Sequence, residues 1–197
     1  MLFRSAAYKS ADLVRRLQDA GARVRVVMSR GATEFITPMT MQALSGNPVH
    51  RDLLDAEAEA AMGHIELARW ADLVVVAPAT ADFIARLAAG RADDLLTTQC
   101  LATTAPLLLA PAMNRGMWLD QATQDNVSTL TQRGVATVGP SEGSQACGEV
   151  GPGRMLEPAE ICDLIAVRYN ADRLLGLNVM VDRKSTRLNS SHLVISY

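Results

Sequence analysis

The fold class this sequence predicts is α/β: an open, mostly parallel sheet with helices on both faces. Two observations predict it. First, "DLVVVAP" (72–78) and "PLLLAP" (106–111) are continuous apolar runs, as expected for strands buried on both faces of a parallel sheet. Second, such runs alternate with segments whose apolar residues recur at helical spacing, the βαβα pattern.

The elements follow in order. "AAYKSADLVRRLQDAG" carries Leu13, Val14 and Leu17 on one helical face, with Gly21 where a C-cap falls. "RVRVVM" (23–28) is short and rich in Val, a strand. "TPMTMQALSG" has Pro38 in a first turn and Gly46 at its end, a helix. "TADFIARLAAG" is a helix ending at Gly90, and "DDLLTTQCLAT" is another. "DQATQDNVSTLTQRG" is amphipathic, "VATVG" (135–139) is the next strand, and "EPAEICDLIAVRY" (157–169) is a last helix with Pro158 near its start. Two stretches have no period: "HRDLLDAEAEAAMGH" (50–64) and "GPSEGSQACGEVGPGRM" (139–155). The second holds five Gly and two Pro, and a long irregular loop inside a compact domain is more often functional than decorative.

The totals narrow the function classes. A chain of 197 residues with 49% hydrophobic and 20% charged residues suits one well-buried globular domain, alone or with a tail. The net charge of -2 favours neither nucleic acid nor an anionic membrane, and no apolar run approaches the ~20 residues of a membrane span. Three widely spaced Cys fit neither a disulfide framework nor a metal site, so a reducing cytoplasm is expected.

In open α/β sheets the ligand sits beyond the carboxyl ends of the strands. Ser29, "APATAD" (77–82), "PAMN" (111–114) and the 139–155 loop all fall there. "APATAD" offers small residues, a hydroxyl and a helix start, suited to an anion or a flat ring; alternatively Thr80 only caps the next helix. His64 is either a structural residue or a general base near a ligand edge. Cys100 and Cys162 fall in apolar helical patterns and read as core. Cys147, flanked by Gly, can be a proton donor or a nucleophile. Arg154 can hold a carboxylate or a phosphate. Asn114 presents both a donor and an acceptor. Met113, Met117 and Trp118 either wall an apolar pocket or fill core.

Together "AAYK", "HIELARWADLVVVAPATADFIARLAAG", "PAMNRGMW" and "SQACGEVGPGRM" occur in an order that resembles the flavin-dependent cysteine decarboxylases. The similarity covers about residues 6 to 181. It is strongest to the phosphopantothenoylcysteine decarboxylase branch of the bifunctional bacterial coenzyme A enzymes. The PxMNxxMW pattern is matched in full, and the Cys-containing loop ends in GxGRM.

The resemblance implies a Rossmann-like (flavodoxin-like) sheet, FMN as cofactor, no metal, and decarboxylation of 4'-phosphopantothenoylcysteine to 4'-phosphopantetheine. It implies catalytic roles for His64, Asn114 and Cys147, with Asn114 on the substrate carboxylate and Cys147 as proton donor. Ser29, Ala77, Pro78, Ala79, Thr80 and Ala112 match FMN-holding positions. Arg69, Arg154 and Met155 match substrate-binding ones. A homotrimer or a trimer-based larger assembly, with shared active sites, is implied as well.

Three departures stand beside the resemblance. "MLFRS" replaces the family's first strand and Gly-rich turn, so that strand is expected to be missing. Asp93 stands where the family commonly has Asn. "LNVMV" (177–181) resembles the start of a synthetase domain whose nucleotide-binding patterns do not follow, so ligase activity is not expected of this chain. The expected divisions are 1–5 and 182–197 as non-native-looking ends that resemble translated adapter sequence, 6–176 as the flavoprotein decarboxylase domain, and 177–181 as the start of the synthetase domain. The competing expectation is a flavin-fold binding or regulatory subunit without turnover.

Overall fold

The computed structural model describes residues 2–51, 64–144, 148–169 and 174–183. The elements in chain order are α1 (Leu2–Asp19), β1 (Arg23–Met28), a 3-10 turn (Ala32–Glu34), α2 (Pro38–Ser45), β2 (Val49–His50), α3 (His64–Trp70), β3 (Leu73–Ala79), α4 (Ala81–Ala88) and α5 (Leu95–Ala102). There follow β4 (Leu107–Pro111), α6 (Arg115–Leu119), α7 (Gln121–Gln132), β5 (Ala136–Thr137), β6 (Ser141–Ser144), β7 (Val150–Arg154), α8 (Pro158–Arg168) and β8 (Asn178–Arg183). Six strands form one parallel sheet in the order β2-β1-β8-β3-β4-β5.

The period of two along a strand explains the two cores. Leu73, Val75 and Ala77 point into one cluster, with Leu13, Val14 and Leu17 of α1, Met41 of α2, and Ile161 and Ile165 of α8. Val74 and Val76 point the other way, against Leu67 of α3, Phe83, Ile84 and Leu87 of α4, Leu96 of α5 and Leu130 of α7. Every residue of β3 is buried, which is why its sequence is an unbroken apolar run.

Among the described residues α1 is the first element, and the sheet has no gap. Strand β8 lies between β1 and β3, pairing Arg23–Met28 on one side and Leu73–Val76 on the other. Val179, Met180 and Val181 are all fully buried. The segment resembling the opening of a second domain is thus central to this sheet. Without it β1 and β3 would each bury an unpaired edge of N–H and C=O groups, and an apolar, β-branched "NVMV" both pairs those groups and fills the two cores. Asp72 fixes its register: its carboxylate accepts from the Asn178 N–H at 3.0 Å, and its own N–H donates to the Asn178 carbonyl at 2.8 Å.

The glycine-rich stretch also differs from expectation. Among its described residues β6 and β7 form an antiparallel pair with a register shift after Ser141. Glycines make this possible. Gly151 has φ +147°, and a Cβ there would come within 2.6 Å of the Arg115 side chain.

Candidate functional site

The parallel register brings the carboxyl ends of four strands to one edge. Met28 lies opposite Arg183, Val76 opposite Asp182, and Ala79 opposite Pro111. Ser29, Ala77, Pro78, Ala79, Thr80, Ala112 and Asn114 therefore do share an edge.

The floor of this edge is buried and interlocked. Ser29 is buried, and its carbonyl accepts from Ala32 N–H at 2.8 Å, starting the 3-10 turn. The Ser10 hydroxyl, buried in α1, donates to the Ala77 carbonyl at 2.7 Å. The Ala112 N–H donates to the Ala79 carbonyl at 3.0 Å. Thr80 caps α4, its hydroxyl oxygen accepting from Phe83 N–H at 3.2 Å, so the plain capping role is real. That bond uses one acceptor position of the hydroxyl and does not use its proton.

Above the floor lies the β6–β7 hairpin. Its second strand is stapled to the lip after β4: Met113 N–H donates to the Gly153 carbonyl at 2.9 Å. Asn114 caps α6, its side-chain oxygen accepting from Gly116 N–H at 2.7 Å. That bond fixes which way the amide faces, so the NH2 group points outward. There it donates to the Glu149 carboxylate at 2.7 Å. Met113 is buried core, Trp118 packs against the same core, and Met117 is 40% exposed.

Lys9 anchors the root of the hairpin. It is 3% exposed, and its ammonium donates to the Met155 carbonyl and to Glu157 Oε1, each at 2.7 Å. The sequence contained a signal for it: Lys9 stands four and eight residues before Leu13 and Leu17, on the buried stripe of α1, where a cation needs a partner.

The remaining expected residues divide. His64 begins α3, and its side chain lies outside the described residues, as does all of Cys147. Arg154 closes β7 and lies across Gly143, with Glu157 at 3.7 Å. The Met155 side chain is 2% exposed and packs in the core, and its carbonyl accepts from the Lys9 ammonium. Arg69 lies apart from these residues within one chain. It is exposed on the last turn of α3, four residues before β3 begins, and thus near the opposite edge of the sheet from Asn114. Within one chain it is not brought to the site.

Asp93 is paired with two guanidinium groups. Its carboxylate pairs with Arg86 at 2.7 Å and Arg91 at 2.8 Å. Desolvation opposes its charge, but the two guanidiniums win and hold the carboxyl below its usual range. Cys162 fits its core reading: burial pushes its thiol up to about 11. Cys100 is buried. Among the described residues no group of three or more His, Cys, Asp or Glu is placed to hold a metal. Among them, too, no helix is long and apolar enough to cross a membrane.

Comparison with known proteins gives a consistent result. Residues 4–170 match the family model described as Flavoprotein. The chain is 56% identical over 182 residues to the coenzyme A biosynthesis bifunctional protein CoaBC of Vibrio vulnificus, a match covering 92% of this chain and 45% of that protein. The chain thus spans under half the length of that relative. Among solved structures, a mutant PPC decarboxylase complexed with pantothenoylaminoethenethiol superposes with a TM-score of 0.72 at 30% identity, over 84% of this chain and 93% of the other. The FMN-dependent cysteine decarboxylase SpaF superposes with a TM-score of 0.70 at 30% identity, over 84% and 91%.

Proposed function

We propose, for a chain that belongs to the flavoprotein family, the FMN-dependent decarboxylation of 4'-phosphopantothenoylcysteine to 4'-phosphopantetheine. The observation that carries this reading is the amide of Asn114, fixed by Gly116 and already holding a carboxylate at 2.7 Å beside the small-residue floor.

The floor fits a flavin. Ala77, Ala79 and Ala112 are small and packed into the two cores, so they would support a planar ring from beneath the edge without a large side chain standing in its way. The Thr80 hydroxyl proton is a donor beside them, and Ser29 supplies a second hydroxyl at the same edge. These residues are the ones we assign to FMN. Bound FMN would supply a two-electron oxidation of the substrate thiol to a thioaldehyde, and the return of those electrons after CO2 has left.

The chain's own residues do the rest. Asn114 donates to the substrate carboxylate and orients it. A neutral amide suits this task better than an arginine, because it orients the carboxylate without strongly favouring the charge that must vanish as CO2 departs. His64, at the start of α3, is assigned as the general base for the thiol proton. Cys147 is assigned to return a proton after CO2 loss, and Arg154 to an anionic group of the substrate. Arg69 would reach substrate only in the site of a neighbouring subunit, consistent with a trimer-based assembly. Cytoplasmic location follows from the proposed metabolic role. Ligase activity, where it occurs, would reside in sequence outside this chain.

The experiment is turnover of the FMN-loaded chain with 4'-phosphopantothenoylcysteine, followed by mass spectrometry. Asn114→Ala is expected to lower kcat/KM by about 100-fold or more, as for loss of a key oriented donor. Cys147→Ser is expected to stop at an oxidised, decarboxylated product. Full turnover by both variants would refute the reading.

A further inference from the structure

The contact between Asn114 and Glu149 is chemically the same as the one assigned to the substrate. A carboxylate accepts from the Asn114 amide at 2.7 Å, but it belongs to the hairpin. We propose that Glu149 is a specificity-determining residue, a built-in carboxylate that competes with the substrate carboxylate for Asn114. The inference rests on the assignment of Asn114 to that carboxylate.

Three features support competition. The amide is not free to turn away, because its oxygen is held by Gly116 N–H at 2.7 Å. The hairpin is fixed next to it by Met113 N–H to Gly153 carbonyl at 2.9 Å, and by Lys9 at its root, so Glu149 stays within reach. The amide has two N–H donors, but two carboxylates brought to it lie within a few ångströms of each other and repel, so seating one disfavours the other. Glu149 is exposed, and ordering a long exposed side chain costs rotamer entropy, so the contact is one that a bound substrate can displace.

The consequence is discrimination. A ligand anchored elsewhere by its phosphate displaces Glu149 only if it brings a carboxylate to take its place. A decarboxylated ligand leaves Glu149 seated. Once CO2 has left, Glu149 returns to the amide, and substrate and product are no longer equivalent occupants.

The test uses the FMN-loaded full chain and two inert ligands in equilibrium titrations. One is the substrate analogue with alanine in place of cysteine, which keeps the carboxylate but has no thiol to oxidise. The other is its ethylamide counterpart, which lacks the carboxylate. Glu149→Ala is expected to bind the alanine analogue about two- to tenfold tighter, the range for removing one competing hydrogen bond. Glu149→Gln, which keeps the shape, is expected to shift in the same direction. The ethylamide is expected to change less than twofold. Glu142→Gln removes the same charge from the same hairpin and is expected to change neither ligand.

Unchanged or weaker binding of the alanine analogue by Glu149→Ala overturns the proposal, as does an equal gain from Glu142→Gln. Asn114→Ala separates the two levels. Survival of the preference for the carboxylate ligand in that variant refutes the assignment of Asn114. Loss of the preference there, with no gain in Glu149→Ala, refutes only the competition.

Discussion

The floor and the lip of the site are built by opposite means. The floor, from Ala77 to Thr80 with Ala112, is buried and held by backbone pairing and by the Ser10 hydroxyl. The lip, the β6–β7 hairpin with Asn114, is largely exposed and held by a few named contacts: Lys9 at its root, Met113 N–H at its middle and Asn114 at its tip. The difference teaches a division of labour. A floor with no side-chain freedom suits a rigid aromatic ring. A lip on discrete contacts suits a group that must enter, react and leave.

Breaking the floor has the largest expected effect. Val181→Asp places an unpaired carboxylate among fully buried residues of β8, and is expected to remove more than about 4 kcal/mol of stability. Circular dichroism should show no cooperative unfolding transition near that of the parent. A normal melting curve would mean that β8 is not a central strand.

Breaking the root of the lip is expected to do less to stability and more to function. Lys9→Met leaves the Met155 carbonyl and Glu157 without their cation. The pair is only half buried, since the Glu157 side chain is 52% exposed. About 1–3 kcal/mol is therefore expected, below the ~3–5 of a fully buried pair. KM should rise with kcat falling less, and Lys9→Arg should restore part of the loss.

Gly151→Ala probes the middle of the lip. A side chain at φ +147° is strained, and its Cβ would meet Arg115 at 2.6 Å. About 1–2 kcal/mol of local destabilisation is expected. Amide hydrogen exchange should accelerate in the hairpin and not in β3.

The smallest effect concerns Cys162, remote from both. With its thiol pushed up to about 11 by burial, it should alkylate at pH 8–9 roughly 100-fold slower than a free thiol. Because the folded value is raised, its contribution to stability is full below about pH 8.5 and is lost as pH climbs towards 11.

The floor was legible in the sequence and the lip was not, for a physical reason. "DLVVVAP" and "PLLLAP" declare buried strands because burial on both faces leaves a local, continuous record. The residues beyond their ends then had to share an edge. Strand β8 falls on the segment that resembles the start of a further domain, and parallel pairing leaves no turn signal to name its neighbours, so its place between β1 and β3 could not be read. The hairpin was masked by its glycines, which look like loop residues yet are used here to let arginines lie flat across the strands. A pattern match carries residue type and not side-chain direction, so the packing of Met155 into the core and the position of Arg69 towards the other sheet edge left no sign in the sequence. Glu149 left no trace at all, since its partner is 35 positions away and its own surroundings are those of any exposed acid.

The central claim is that the small-residue floor holds FMN. The measurement is a titration of the chain with FMN, read by flavin absorbance and fluorescence, in parallel with Ala79→Leu. Saturation at one equivalent is predicted for the parent, with binding lost in a variant that retains the circular dichroism of the fold. A folded parent that does not bind FMN, or a folded Ala79→Leu that binds it as well, would contradict the account.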